Sequence, residues 1–425
     1  MKKIIINILN NSFIKGGFFL TVSNFVVGLI NYVFNVLTGR ALGPEGYGEV
    51  ATLFSYLTVV SIPVGIVGML IVQKIGNSKN PEIYTVALFE WLKIKLKKYW
   101  YISLLSLIIL PFIPKLTNLK IETANTLYLL VILSLIGAFY HSALTALHLF
   151  SSQSLFNILG ATVKLSGALI AFWGFGSLRI ILLMLIFSSI FQLILTFVFI
   201  SKKLKEQIGQ TFDKIEKRIL DIFKDRQLWY TSSATAVLTL LGNIDIIFVK
   251  RFFSAEDAGI FGAWSVFAKI ILYVIGPLIS LSFIFFSSRK NQEWHKPVFM
   301  MLLLFFIFSG VVANLGYGFF GREIIEMLFG KKFLPLLPYM EWAGLFGIGY
   351  VLMLFMMQYY LAKKSQITLI PAILFPIYLG FLFFYSKTLA DVMLIDTLYT
   401  FIVTAIFLII FFQERLHFFI NLFKK

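Results

Sequence analysis

The chain has 425 residues, of which 59% are hydrophobic and only 13% charged, well away from the roughly 45–50% apolar and about 25% charged of soluble domains. Such a composition excludes a soluble enzyme or binding module and predicts a polytopic membrane protein. The formal charge of +17 is dispersed as lysines and arginines between apolar runs, with no basic, aromatic-studded domain to follow a phosphate backbone, so nucleic acid is excluded as a partner.

The N-terminal stretch MKKIIINILNNSFIKGG has a short apolar patch broken by Asn7, Asn10 and Asn11 and lacks a small-residue cleavage site, which predicts an uncleaved interfacial segment. Runs long enough to cross about 30 Å of hydrocarbon at ~1.5 Å per residue then fall at 17–38, 49–72, 99–114, 126–150, 155–175 and 179–201. Pro111 and Pro114 make the third of these the weakest, while Tyr99, Trp100 and Tyr101 supply an interfacial belt. Six more runs follow at 228–249, 258–287, 297–320, 336–361, 366–385 and 390–412. Pro63, Pro277, Pro371 and Pro376 are expected to interrupt helices. Short loops on the side of both termini hold 25 Lys and Arg against 10 on the other side, which predicts cytoplasmic ends.

The linker 202–226 places Ile208, Phe212, Ile215, Ile219 and Ile222 at helical spacing between charges, which predicts an amphipathic helix on the inner membrane surface. Residues 82–98 read the same way, with Ile83, Val86, Phe89 and Leu92 on one side and a Lys-rich end. The bland reading of both is a solvated connector attracted to anionic lipid. No cysteine is present and the four histidines are scattered, so no disulfide, metal cluster or cofactor is expected.

The stretch Gly39 to Gly48, GRALGPEGYG, separates the first two runs, and its Gly and Pro residues suit a tight reversal. Sliding the sequence by 211 positions lays Arg251, Glu256 and Gly259 of KRFFSAEDAG on Arg40, Glu45 and Gly48. Two tandem halves of one ancestral unit follow: a six-helix bundle at 1–201, a linker at 202–227 and a second bundle at 228–425.

Ionisable groups inside apolar helices cost about 2.5–3.5 kcal/mol each on insertion scales, so those present are candidates for function. Lys164 and Lys269 lie midway along their helices; they either line a wet cavity and attract an anion, or snorkel or pair structurally. Glu49, Asp245, Glu341 and Asp396 fall in the outer thirds of theirs, where some pair with Arg40, Lys250, Arg251 or Arg179. Asp245, in GNID at 242–245 beside Asn243, either binds a coupling proton or cation or closes a gate salt bridge. Asn24, Asn31 and Asn35 share one face of the first helix, as cavity lining or as inter-helix glue. His141 and His148, seven apart on the fourth run, read as packed polar residues before proton relays.

The sequence from Gly16, GGFFLTVSNFVVGLINYVFNVLTGRALGPEGYGEVATLFSY, resembles the opening of polysaccharide and O-antigen flippases of the multidrug, oligosaccharidyl-lipid and polysaccharide exporter superfamily. GNIDIIFVKRFFSAEDAGIFGAWSVFAKI at 242–270 is similar to that family's seventh and eighth helices, and IIEMLFGKKF at 324–333 to the turn before its tenth. The resemblance implies an all-α membrane protein of twelve transmembrane helices in two six-helix bundles, related by a pseudo-two-fold repeat around a central cavity. It implies a transporter in the bacterial inner membrane, not an enzyme. Its substrate would be an undecaprenyl-diphosphate-linked oligosaccharide, moved outward by alternating access and coupled to a proton or sodium gradient, with a polysaccharide polymerase and assembly proteins as partners. On that reading Lys164, Lys269 and Arg40 hold the diphosphate, Asn24, Asn31 and Asn35 line the path, and Asp245 couples the ion. A cation-coupled drug exporter of the same superfamily is the alternative, one that would favour carboxylates deep in the cavity.

Overall fold

The computed structural model describes residues 12–175, 177–205, 226–288 and 292–423. The amphipathic helix expected in the linker and the interfacial segment at the N-terminus fall largely outside the described residues. Among those described, ten helices are long and apolar enough to cross a membrane. The chain divides into two compact units, Met1–Asp225 and Arg226–Lys425.

The first unit begins with one run of helix, Ser12–Val60, broken at Gly43 by φ 68° and ψ −178°; its limbs are α1 (12–42) and α2 (44–60). The rings of Phe34 and Phe54 lie 5.9 Å apart, edge to face, whereas a straight helix at ~1.5 Å per residue would hold them about 30 Å apart. The chain therefore reverses at Gly43, as the Gly-Pro pair led one to expect. In the second unit α10 (Arg226–Leu241), α11 (Ile244–Phe252) and α12 (Ala255–Ser287) show the counterpart. There the break falls at Ser254, which is 211 residues beyond Gly43. Ser254 caps α12 through a reciprocal pair of hydrogen bonds with Asp257, so a capping box does what a glycine does in the first half.

Gly43 occupies a backbone region that is essentially glycine-only, where another residue costs of order 1–3 kcal/mol. Gly43→Ala is therefore expected to lower the thermal midpoint of the detergent-solubilised protein, while Ser254→Gly, which removes only a cap, lowers it less. Thermal scans of the two variants check this order.

The remaining elements of the first unit are α3 (Ile62–Gly76), α4 (Pro81–Lys98), α5 (Trp100–Ile109), α6 (Ile113–Thr117), α7 (Ile121–Ala146), α8 (Phe150–Ile170) and α9 (Leu178–Lys203). The weak third run is split: Leu110–Phe112 forms a tighter turn between α5 and α6, because Pro111 and Pro114 each remove a helix donor. Helix α4 does more than lie on a surface, for Tyr84, Val86, Ala87 and Leu88 join a core with Ile75, Leu144, Phe156 and Ile200. His148 is not on the fourth helix, which ends at Ala146; its backbone is left-handed, φ 56°.

The second unit continues with α13 (His295–Leu328), α14 (Met340–Ala362), α15 (Ile370–Tyr385) and α16 (Leu389–Phe423). Its centre is α14, which packs against α12, α13 and α16. Gly347 permits a close backbone approach to α12, since a Cβ there would stand 2.4 Å from the Ala268 carbonyl oxygen. Pro63 and Pro371 lie in first turns, where their missing N–H costs nothing. Pro277 and Pro376 do not interrupt their helices, which run on through them, as membrane helices tolerate when neighbours re-satisfy the freed carbonyl.

Candidate functional site

In the first unit, the hairpin at Gly43 sets Phe34 of α1 against Phe54 of α2, and the two rings make a seat for a cation. The Lys164 ammonium, carried by α8, lies 4.8 Å from the Phe34 centroid and 5.1 Å from that of Phe54, and donates to Oδ1 of Asn31. Ring faces of this kind attract a cation by about 0.5–2 kcal/mol, the larger values applying to desolvated groups. Asn35 braces the same turn of α1: its Nδ2 donates to the Asn31 carbonyl at 2.8 Å and its Oδ1 accepts from the Tyr47 hydroxyl at 3.2 Å.

A cavity of about 250 Å³ opens beside this lysine, lined by Asn31, Asn157, Lys164, Ser188, Ser189 and Gln192 among apolar side chains, with no acidic residue. A second cavity of about 310 Å³ shares Ser189 and Gln192 and extends to His141. The Gln192 amide donates to Oδ1 of Asn157 at 2.8 Å. His141 meets the Gln153 amide at 2.9 Å, so it is a partnered, packed histidine. A lysine among amides and hydroxyls, with no carboxylate in the lining, offers a positive seat and hydrogen-bonding groups that a hydroxylated anion could use.

Of the expected residues, Lys164 and Asn31 come together and Asn35 supports them. Asn24 is exposed and lies apart from the cavity lining, as does Arg40, exposed near the end of α1. Glu45 binds the Lys120 ammonium at 2.9 Å and Glu49 accepts the Lys120 backbone N–H at 3.0 Å. The hydrogen bond to Glu45 raises the Lys120 ammonium above its ordinary pKa. Asn157, Ser188, Ser189 and Gln192 escaped the sequence reading; Asn157 stands seven residues before Lys164, a two-turn spacing that marks a shared helix face.

In the second unit a helix is interrupted. Gly242 and Asn243 separate α10 from α11, and Lys269 of α12 donates to the Gly242 carbonyl at the break, at 2.6 Å. The Tyr350 hydroxyl of α14 donates at 3.3 Å to the Leu238 carbonyl, which also accepts the Gly242 N–H. Position 242 is 211 beyond Asn31. Each mid-helix lysine thus docks on the same position of its own half, although the lysines come from non-equivalent helices.

Asp245 stands in the first turn of α11, where one oxygen accepts the Ile246 N–H at 2.8 Å and the other has no partner. Asp396 of α16 accepts from the Tyr378 hydroxyl at 2.6 Å and likewise keeps one bare oxygen. Both carboxylates are buried, 0% and 2% exposed, and the Lys269 charge reaches both. The sequence reading had set Asp396 near the surface and without a role beside Asp245; the structure makes the two acids neighbours. Two buried carboxyl groups beside one ammonium at a helix break make a place where a proton or a small cation could be exchanged. Among the described residues no larger group of metal-ligating side chains occurs.

Residues 13–289 match the family described as polysaccharide biosynthesis protein. No curated protein matches the sequence. Solved structures share the fold along nearly the whole chain. A multidrug resistance MATE family transporter of the MOP superfamily in its inward-facing conformation superposes with TM-score 0.67 at 11% identity, covering 93% of this chain and 98% of that one. An outward-facing MATE family transporter gives TM-score 0.61 at 14% identity over 97% of each chain. A MATE structure in the bent conformation gives 0.60 at 14% identity, again over 97% of each.

Proposed function

We propose, since the chain belongs to the polysaccharide biosynthesis protein family, that it is a flippase carrying a polyprenyl-diphosphate-linked oligosaccharide from the cytoplasmic to the outer leaflet for assembly of O-antigen, capsule or exopolysaccharide. It works by alternating access in the bacterial inner membrane with both termini cytoplasmic. Lys164 carries this reading. An ammonium held in a polar cavity without a carboxylate is expensive unless an anion visits it. Dragging many sugar hydroxyls through hydrocarbon without partners costs several kcal/mol apiece. Asn31, Asn157, Ser188, Ser189 and Gln192 offer donors and acceptors that replace the lost water.

Within this scheme the diphosphate pairs with Lys164, and Asp245 and Asp396 bind the coupling proton or sodium ion. Lys269, occupied by the Gly242 carbonyl and the two acids, is released to a substrate anion only when one acid is neutralised. Purified protein in liposomes should accelerate the crossing of a labelled polyprenyl-diphosphate oligosaccharide over that in protein-free vesicles. No acceleration from correctly folded protein would reject the assignment.

One observation favours a second reading. The buried pair Asp245 and Asp396 is what a cation-coupled drug exporter would use. Expression in a drug-sensitive host separates the two, because an exporter raises resistance to cationic drugs and a flippase of lipid-linked sugar leaves it unchanged.

A further inference from the structure

One cavity of the first unit has no place in that scheme. It measures about 640 Å³ and lies between α4, α7 and α9, walled by Phe89, Ile136, Phe139, Tyr140 and Phe197 with other apolar residues. That volume falls within the roughly 300–1,000 Å³ typical of ligand pockets. Among the described residues two charged side chains line it, Glu90 and Lys93. They are exposed and three residues apart on α4, hence on the same face of the helix. Neither makes a hydrogen bond or ion pair with a described residue.

Six residues beyond Lys93 comes the exposed aromatic run Tyr99, Trp100 and Tyr101, of the kind that membrane–water interfaces carry. At ~1.5 Å per residue the pair sits about 9 Å along α4 from that belt. An apolar chamber with one cation and one anion at its mouth, close to such a belt, has the charge pattern of a zwitterion with a chain attached.

We propose that this cavity is a binding site for phosphatidylethanolamine. The acyl chain fills the apolar chamber, the phosphate takes Lys93, and the headgroup ammonium takes Glu90. The ammonium's three N–H donors suit a carboxylate. A phosphatidylglycerol headgroup satisfies Lys93 and leaves Glu90 beside a phosphate. Phosphatidylcholine presents a methylated cation that cannot donate to Glu90. The site does not depend on which substrate the protein carries.

Intact-protein mass spectrometry of the detergent-solubilised full chain, titrated with each lipid, tests this. Phosphatidylethanolamine is expected to be retained at least about tenfold better than phosphatidylcholine or phosphatidylglycerol, the ratio corresponding to ~1.4 kcal/mol. Glu90→Gln should bring phosphatidylethanolamine down to the level of phosphatidylcholine. Lys93→Gln should weaken all phospholipids, and Ile136→Trp, which fills the chamber, should abolish retention. Glu90→Gln and Lys93→Gln alter exposed side chains, so both keep the fold and remain informative if the tryptophan variant does not fold. Equal retention of the three lipids, preference for phosphatidylglycerol, or displacement by a polyprenyl phosphate at equimolar concentration would each overturn the proposal.

Discussion

Replacing Lys164 by alanine is expected to abolish glycan export while leaving the protein at normal abundance. Truncating one partner of a buried, hydrogen-bonded charge pair costs about 2–5 kcal/mol, which at ~1.4 kcal/mol per decade is roughly 30-fold to several thousand-fold in affinity for the diphosphate. Alanine also removes the cation from between Phe34 and Phe54, leaving two apolar rings beside Asn31, a change that packing absorbs more easily than it would absorb a lone charge. Lys164→Arg keeps the charge but moves it along a longer, planar group, so partial export is expected. Surface-glycan staining and liposome flipping both read the effect. Full export by Lys164→Ala at wild-type protein levels would eliminate the anion site.

The second large effect is expected at Lys269, and it is one of stability before transport. Removing this lysine leaves Asp245 and Asp396 buried together without their cation, and breaking a buried charge set by deleting one member costs about 3–5 kcal/mol. Lys269→Ala should therefore fall sharply in thermal midpoint. Adding Asp245→Asn and Asp396→Asn to Lys269→Met should restore most of the loss, because a neutral set of similar shape carries no uncompensated charge. Transport should not return with stability, since the coupling groups are gone. Asp245→Asn alone should still equilibrate substrate across a vesicle yet lose its acceleration by an imposed proton or sodium gradient. A Lys269→Ala protein as stable as wild type, or an Asp245→Asn protein that responds fully to the gradient, contradicts this account.

Both sites share a plan that the repeat makes visible. Asn31 and Gly242, at corresponding places 211 residues apart, each receive a lysine, but the first unit keeps its helix whole and offers a side-chain oxygen. The second breaks its helix and offers a backbone carbonyl. The break also places Asp245 at the start of a new helix, where a carboxylate is favoured by the exposed N–H groups. One ancestral arrangement has thus become a lysine seated on Asn31 and two aromatic rings in one half and, beside Asp396, an acidic cluster in the other.

What the residues alone determined is whatever depends on local composition and spacing: that the chain lives in a bilayer, where its apolar runs lie, that it reverses at Gly43, and that Lys164, Lys269 and Asp245 stand where charge is costly. Tertiary packing decided the partners. No spacing within α1 reveals that Phe34 will face Phe54, and nothing near Asp245 announces Asp396, about 150 residues away on α16. The same holds for the segment 82–98: its spacing shows an amphipathic helix, and only the packing of α7 and α9 sets an apolar chamber beside Glu90 and Lys93. The physical reason is that the cost of a buried charge is a property of its surroundings, and those are built from segments far apart along the chain.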